Sequence, residues 1–279
     1  MAPRLSPDGR RLAVGILTRE GNADIWVYEL ERGTRIRLTT DGPQTIRPAW
    51  SPDGTRIAFS SNKSGNTDLY WKRTDGSGEG GVLLSRPGDQ WLDSWSSDGQ
   101  VLAFQELPPD GTSGRARDIW LLPLDADPFP FRISTFYERQ ARFRPGGGWL
   151  AYVSDESGQN EVYVSPDSGS GSRAPISIRG GSEPVWSSDG TELFYRNGNK
   201  MMVVEVGAEP SAASLPRLLF ESGGEFETNR WMPYYDVSPD GERFLMIRRA
   251  GATESTGAEQ IHVVLNWFEE LERLVPTDN

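Results

Sequence analysis

Six short segments of the chain share one pattern, in which an apolar or aromatic residue precedes a tight turn and alternating apolar positions follow it. The turns begin at residues 6, 51, 96, 144, 187 and 238, at intervals of 43 to 51 residues. In Ser51-Pro52-Asp53-Gly54, proline presets the first turn position, aspartate suits the second, and glycine accepts the left-handed conformation that follows. Alternation on both sides of such a turn predicts a β-hairpin.

A second pattern follows each turn and is rich in aromatic and β-branched residues. It occupies residues 24–27, 68–71, 118–121, 161–164, 200–203 and 260–263. This composition predicts a third strand, and in five repeats a further turn and an outer strand follow. A blade of four strands with short turns needs roughly 40–50 residues, which matches the repeat interval. The chain is therefore predicted to be all-β, a six-bladed β-propeller over residues 1–266, with one strand before each turn lining a central channel.

The end of the chain departs from the repeat. Asn266 can cap a helix in which Trp267, Leu271 and Leu274 share one face. We expect a short C-terminal helix and tail over residues 267–279, packed on the ring. Blade six then has three strands, or a missing strand lies upstream. Because the chain opens inside a repeat, we expect it to be part of a larger protein.

Charge and composition exclude several classes of function. Lys and Arg number 29 against 40 Asp and Glu, and the net charge of −11 opposes binding to nucleic acid or to an anionic membrane surface. No run of about 18 apolar residues is present, so we expect no membrane insertion. The chain has no cysteine, which excludes disulfides and Cys-ligated metals. We expect a monomer, with dimerisation possible through an unsealed edge between blades six and one.

The turn Trp50-Ser51-Pro52-Asp53-Gly54 and the strand start Asp24-Ile25-Trp26 resemble the repeat of the TolB-like bacterial β-propellers, a WD-like family. The resemblance covers residues 2–266. The segment 263–271 is similar to the end of propellers attached to bacterial Ser/Thr protein kinases, which implies a sensor or docking role. The resemblance to TolB-like propellers implies a periplasmic or other extracytoplasmic location. Related propellers precede the hydrolase domain of prolyl-oligopeptidase-like peptidases, but no G-x-S-x-G motif is found in this sequence.

Most residues that could take part in catalysis or metal binding are better explained by structural roles. His262 is the single histidine and stands where other repeats place Trp or Tyr, so we interpret it as a packing residue. This argues against a Ser-His-Asp triad and a multi-histidine metal site. The recurrent acidic residues that open the third strands are interpreted as turn caps: Asp24, Asp68, Asp118 and Glu161.

The residues that differ between repeats are the candidate site. They lie just before the predicted innermost strands, so they converge on one mouth of the channel, the usual setting of a ligand site. They are Arg47, Trp91, Asp93, Arg139, Gln140, Glu183, Arg230, Trp231, Tyr234 and Tyr235. Two long loops, residues 106–117 and 248–259, are expected to leave the same face.

Two functions remain open from the sequence. The first is a binding, sensor or interaction module that holds a protein, a peptide or a small molecule at the channel mouth. The second is a hydrolase of lactones or phosphotriesters, either promiscuous or dependent on calcium. Calcium prefers oxygen ligands, and the inward oxygen set consists of Asp93, Gln140 and Glu183. Binding is favoured, because three ligands are few for such a site.

Overall fold

The computed structural model describes residues 2–18, 21–40, 42–107 and 117–248. Within these ranges five antiparallel sheets of four strands follow one another along the chain, and each runs in sequence order from its innermost to its outermost strand. The fold is therefore an all-β propeller, as the repeat predicted. A 3₁₀ turn at Pro210–Ala212 is short, and nothing helical in the described ranges has the length and apolarity of a membrane-spanning segment.

The strands of the five blades match the predicted order of innermost strand, turn, second strand, aromatic third strand and outer strand. Blade one comprises β1 (Arg4–Leu5), β2 (Arg11–Leu17), β3 (Ala23–Glu29) and β4 (Thr34–Arg37). Blade two comprises β5 (Thr45–Trp50), β6 (Arg56–Ser61), β7 (Asp68–Arg73) and β8 (Gly81–Leu84). Blade three comprises β9 (Asp89–Trp95), β10 (Val101–Leu107), β11 (Asp118–Pro123) and β12 (Phe129–Arg132). Blade four comprises β13 (Arg139–Phe143), β14 (Trp149–Ser154), β15 (Glu161–Pro166) and β16 (Ala174–Pro175). Blade five comprises β17 (Ser182–Trp186), β18 (Glu192–Asn197), β19 (Lys200–Glu205) and β20 (Arg217–Glu221).

The sixth repeat corrects the prediction of a six-bladed propeller. Its turn forms, but in the described ranges it joins a sheet of two strands, β21 (Tyr235–Val237) and β22 (Phe244–Met246). The structure thus shows five four-stranded blades, because the third-strand pattern of this repeat falls in residues 260–263, outside the described residues. The predicted C-terminal helix, His262, the loop 248–259 beyond Arg248 and most of the loop 106–117 also lie outside them.

The turns are built as their sequence predicted. In blade two the Gly54 N–H donates to the Ser51 carbonyl at 2.8 Å, and the Ser51 hydroxyl accepts from the Arg56 N–H at 3.0 Å. The Asp53 carboxylate accepts from the Thr55 N–H at 3.0 Å, so the turn acid closes the hairpin. Glycine at the fourth turn position has φ between 67° and 80° in all six repeats, a conformation that favours glycine: Gly9, Gly54, Gly99, Gly147, Gly190 and Gly241.

The hydrophobic core lies between neighbouring blades. Five clusters of buried side chains each combine residues from two consecutive units, from blades one and two up to blade five and the sixth repeat. Between blades one and two, for example, Ile25 and Val27 pack with Ile57, Phe59 and Tyr70. Each face of a middle blade therefore buries apolar side chains against a neighbour, which fixes the blades around one axis.

The ring is closed by contacts between the sixth repeat and the first strand of the chain. The Leu5 N–H donates to the Asp236 carboxylate at 2.8 Å, and the Arg4 guanidinium donates to the Tyr235 carbonyl at 3.2 Å. At the turns, a Cβ placed on Gly9 would lie 3.0 Å from the Pro239 ring. The two-stranded sixth unit thus occupies the place of a blade between blades five and one.

Candidate functional site

In four blades the hydrogen-bond ladder between the first and second strands is interrupted, and a polar residue of the first strand lies at the interruption. The pairing between the first and second strands skips two residues in blades two, four and five and one residue, Asp93, in blade three. Such β-bulges redirect side chains. In three of the bulges a residue other than glycine takes a left-handed φ, namely Arg47 at 57°, Gln140 at 58° and Glu183 at 58°. Four of the polar residues selected from the sequence are therefore the bulge residues, namely Arg47, Asp93, Gln140 and Glu183.

Asp93 joins blades two, three and four. Its Oδ1 accepts from Arg47 Nη1 at 3.2 Å and from Gln105 Nε2 at 2.6 Å, while Oδ2 accepts from the Ala141 N–H at 2.9 Å. Arg142 also donates to the Asp93 carbonyl. Burial raises the pKa of Asp93 to about 6, against the opposing charge of Arg47. The carboxylate is fully engaged by donors of the protein.

Glu183 joins blades four and five to the sixth repeat. Its main-chain N–H donates to Gln140 Oε1 at 2.7 Å, and its carboxylate accepts from the N–H groups of Asn229 at 3.1 Å and Tyr234 at 2.8 Å. The Tyr235 hydroxyl donates to the Glu183 carbonyl at 2.8 Å. Burial raises the pKa of Glu183 to about 7, despite the two N–H donors.

The Glu183 carboxyl makes the stability of the ring depend on pH. Its pKa rises from 4.5 to about 7 on folding, so between these values the folded chain binds more protons than the unfolded chain. The free energy of unfolding therefore falls as pH rises through this window, by up to about 3 kcal/mol from this group. We expect Glu183→Gln to flatten the fall measured by urea unfolding between pH 4.5 and 7.5.

Exposed Glu205→Gln is the control for this prediction and should leave the slope unchanged. Asp93, with a pKa of about 6, and Glu138, whose pKa burial raises to about 7, supply the slope that remains. An identical pH profile for wild type and Glu183→Gln would contradict the assignment.

A loop that leads into the sixth repeat covers one end of this network. The Asn229 carbonyl accepts from Gln140 Nε2 at 3.2 Å, and the Trp231 carbonyl accepts from Gln105 Nε2 at 3.4 Å. The loop therefore crosses from blade five to blade three over the bulge residues. Its main chain is held by side-chain amides and by the Glu183 carboxylate.

Arginine and aromatic side chains gather around this loop at the channel mouth. The Arg117 guanidinium carbon lies 3.8 Å from the centre of the Trp91 ring and 4.0 Å from the centre of the Trp231 ring. Arg230 and Arg139 lie 4.7 and 5.9 Å from the Trp231 ring, and the Tyr137 ring lies 6.2 Å from it. Stacking of guanidinium on indole is favourable because the ring face is electron-rich. We call Trp91, Arg117, Arg139, Arg230 and Trp231 the mouth cluster.

The ten residues selected from the sequence fall into three groups. Four are bulge residues and four belong to the mouth cluster, and the two groups meet where Gln105 contacts both Asp93 and Trp231. Tyr234 is half-buried and donates its main-chain N–H to Glu183. Tyr235 is fully buried in the core beside Phe244, so the structure does not place its ring at the mouth.

Arg117 and Gln105 were not selected, although both contribute to the mouth. Gln105 lies on the second strand, where the pattern marked structural positions. Arg117 directly precedes the acidic residue of the third strand, a position held by Ala23, Thr67, Asn160 and Asn199 in the other four blades. Arg117 is the one charged residue among these five equivalent positions, and this difference was the signal in the sequence that could have identified it.

The proposed calcium ligands do not fit a metal ion. Both Asp93 oxygens and both Glu183 oxygens accept hydrogen bonds from N–H groups, which leaves them turned toward donors instead of toward a shared cation. In the ranges that the structure describes, no three His, Asp or Glu side chains form a group that could hold a metal. The geometry gives no support to a calcium-dependent hydrolase.

The recurrent acids that open the third strands act as caps, as the sequence predicted. Asp24 binds the Thr39 hydroxyl at 3.2 Å and also Arg37, and the Asp118 carboxylate accepts from the Ser134 N–H at 3.2 Å. The other two bind hydroxyl groups that follow the outer strand, Asp68 with Ser85 and Glu161 with Ser177. These carboxylates therefore join the third strands to the outer edges of the blades.

Comparison with known proteins agrees with the repeat and the fold. Residues 1–113 match the family model of the TolB beta propeller domain. The chain is 34% identical over 179 residues to a protein TolB homolog of Chlorobium luteolum, covering 56% of this chain and 35% of that protein. It is 27% identical over 203 residues to an uncharacterized peptidase, YuxL, of Bacillus subtilis, covering 69% of this chain and 28% of that protein. The matches thus span about a third of these relatives.

Solved structures show the same architecture. A putative TolB from Agrobacterium tumefaciens superposes with a TM-score of 0.65 at 20% identity, over 86% of each chain. TolB from Acinetobacter baumannii gives 0.61 at 18% identity, over 80% of this chain and 54% of that one. A gluconolactonase from Xanthomonas campestris gives 0.59 at 16% identity, over 88% and 82%. At such identities the likeness concerns the fold alone.

Proposed function

We propose that this chain, a TolB-like β-propeller, is a protein-interaction module that docks its partner at the channel mouth. The observation that carries the proposal is the mouth cluster. Trp91, Arg117 and Trp231 form a stacked group at the opening, and the rings of Trp91 and Trp231 are partly exposed. Tryptophan and arginine are the residue types that contribute most to binding at protein interfaces.

The surroundings of the cluster support a binding role. Behind it, the bulge residues are buried and hydrogen-bonded to one another, which gives the mouth a rigid base. A site on rigid elements loses less freedom when a partner binds. The exposed Arg230 at the rim leaves a charged contact at the edge of the opening.

The wider organisation is part of the same proposal. The module is one β-propeller domain, and the part of the predicted domain beyond Arg248 lies outside the described residues. The matches cover 28% of the length of the peptidase and 35% of the length of the TolB homolog. This partial coverage supports a module that serves within a larger bacterial protein. The TolB resemblance supports a sensor or docking role outside the cytoplasm.

Affinity capture with matched variants tests the proposal. The immobilised chain is incubated with a bacterial envelope extract, and the proteins retained are quantified by mass spectrometry. We expect the double variant Trp91→Ala/Trp231→Ala to retain the specific partner at least about tenfold less than wild type, since hot-spot aromatics each contribute about 2 kcal/mol or more.

Trp71→Ala is the matched control. Trp71 is also an indole stacked against an arginine, with Arg56 4.5 Å from its ring centre, but it lies on the third strand of blade two, away from the mouth. This variant should retain the partner as wild type does. Equal retention by wild type and the double variant, with unchanged melting temperatures, would overturn docking at the mouth.

A further inference from the structure

Three guanidinium groups surround one indole ring at the mouth. Arg117, Arg230 and Arg139 lie 4.0, 4.7 and 5.9 Å from the centre of the Trp231 ring. The Trp91 ring centre lies 3.8 Å from the same Arg117 guanidinium carbon. A guanidinium that stacks on aromatic rings keeps in-plane N–H groups available for acceptors, and that edge matches the geometry of a carboxylate. One of the N–H groups of Arg117 donates to Gln105 Oε1 at 3.3 Å.

The guanidinium groups of the mouth cluster are not paired with carboxylates in the part of the chain that the structure describes. Between described residues, Asp93 is paired with Arg47, and none of Arg117, Arg139 and Arg230 forms an ion pair. Arg139 is 1% exposed and its Nε has no hydrogen-bond partner within the described part of the chain. Burial and repulsion from Arg47 and Arg139 lower the pKa of Arg117 to about 10. An anion at this point would relieve the repulsion.

The contacts of the covering loop indicate a peptide as the source of that anion. Side-chain amides of Gln105 and Gln140 donate to main-chain carbonyls of the loop, and Glu183 accepts from two of its main-chain N–H groups. The mouth therefore already binds a peptide main chain. A polyanion such as nucleic acid or an anionic lipid surface would meet the net charge of −11 around this local basic site.

We propose that the channel mouth recognises an acidic peptide segment, one carboxylate of which is held by Arg117 and Arg230 beside the Trp231 ring. Buried Arg139 contributes positive charge to the site without contacting the bound carboxylate. This inference rests on the proposed function, because it assigns the chemistry of the segment that docks at the same mouth. It also predicts that the contact strengthens at low ionic strength, since exposed charges are screened by salt.

Fluorescence anisotropy with a rhodamine-labelled hexaglutamate peptide tests the inference directly, with labelled hexaserine as the neutral reference. We expect hexaglutamate to bind at least about tenfold more tightly than hexaserine, and Arg117→Gln and Arg230→Gln each to weaken it by about fivefold or more, a range typical of a charge-assisted contact. Arg230 is exposed, so its variant tests the site without disturbing the fold. Arg117→Lys, which keeps the charge but loses the planar fork, should fall between wild type and Arg117→Gln.

Arg35→Gln is the matched control, because Arg35 is also stacked on two aromatic rings, 5.3 Å from Trp26 and 5.8 Å from Tyr28, on blade one. It should bind hexaglutamate as wild type does. Equal binding of hexaglutamate by wild type and Arg230→Gln would overturn the inference. Displacement by inorganic phosphate beyond that by sodium chloride of equal ionic strength would assign the site to a small anion and overturn the peptide assignment.

The partner capture described above separates the two proposals. If Trp91→Ala/Trp231→Ala loses the partner but Arg230→Gln and Arg117→Gln retain it, docking at the mouth stands and the acidic segment is wrong. If every one of these variants retains the partner as wild type does, both proposals fail.

Discussion

Replacing Asp93 by alanine is expected to lower the free energy of unfolding by about 3–5 kcal/mol, because it breaks a buried ion pair from one side. The Arg47 guanidinium is 4% exposed and would keep its charge without its carboxylate. Gln105 Nε2 and the Ala141 N–H would also lose their acceptor, and a buried donor without a partner costs about 1–3 kcal/mol. Urea unfolding at pH 7.5, where Asp93 is ionised in the folded chain, measures the loss.

Asp98→Ala provides the comparison. Asp98 is an exposed turn acid of the same blade and accepts from the Gln100 N–H at 3.0 Å, so its removal should cost about 1 kcal/mol or less. Asp93→Asn keeps the shape and one acceptor and should fall between the two. Similar losses for Asp93→Ala and Asp98→Ala would show that the Asp93 network does not hold the blades together.

Replacing Tyr235 by alanine is expected to cost about 3–5 kcal/mol of unfolding free energy, as for other large aromatic residues removed from a core. Its side chain is fully buried, its ring centre lies 6.2 Å from that of Phe244, and its hydroxyl donates to the Glu183 carbonyl. The cluster that it belongs to joins blade five to the sixth repeat. The variant should therefore show a large fall in melting temperature, measured by circular dichroism.

Tyr235→Phe isolates the hydroxyl from the ring. It keeps the packing and loses one hydrogen bond, so a loss of about 1 kcal/mol is expected. A melting temperature for Tyr235→Ala equal to that of wild type, together with loss of partner capture, would return Tyr235 to the binding surface on which the sequence placed it.

Local chemistry explains why the blades could be predicted from the sequence. A Ser-Pro-Asp-Gly turn satisfies its own hydrogen bonds, as in Ser51–Gly54, so it forms wherever its residues occur. The third strands begin at acids that bind the adjacent outer edge, as Asp24 binds Thr39. Both signals act within one blade and do not depend on distant residues. The number of complete blades was harder to predict, since a turn specifies a hairpin and not the strands that later pair with it.

The site was predictable only where it lay on the repeat. The bulge residues stand four positions before the turn, or three in blade three, and their polarity contrasts with the apolar strand. In the sixth repeat, Tyr234 is the residue four positions before the turn. Tyr235 is then equivalent to Pro48 and Pro184, which are buried. Adjacent residues of a strand point to opposite faces, so without the strand register the sequence could not show which of Tyr234 and Tyr235 faces the core. Arg117 stands just before a third strand and reaches the mouth by contacting Trp91 and Trp231, which no signal of the repeat predicts.

The left-handed bulges place conformational strain and channel chemistry at the same positions. A residue other than glycine in this conformation costs on the order of 1 kcal/mol or more, and Arg47, Gln140 and Glu183 all adopt it. Glycine would remove the main-chain strain at each position, but it would also remove the side chains that bridge the blades. Replacing Arg47 by glycine would leave Asp93 buried without its cation, a loss larger than the strain that is relieved. The strained conformation is therefore retained because the side chains it carries stabilise the ring by more than the strain costs.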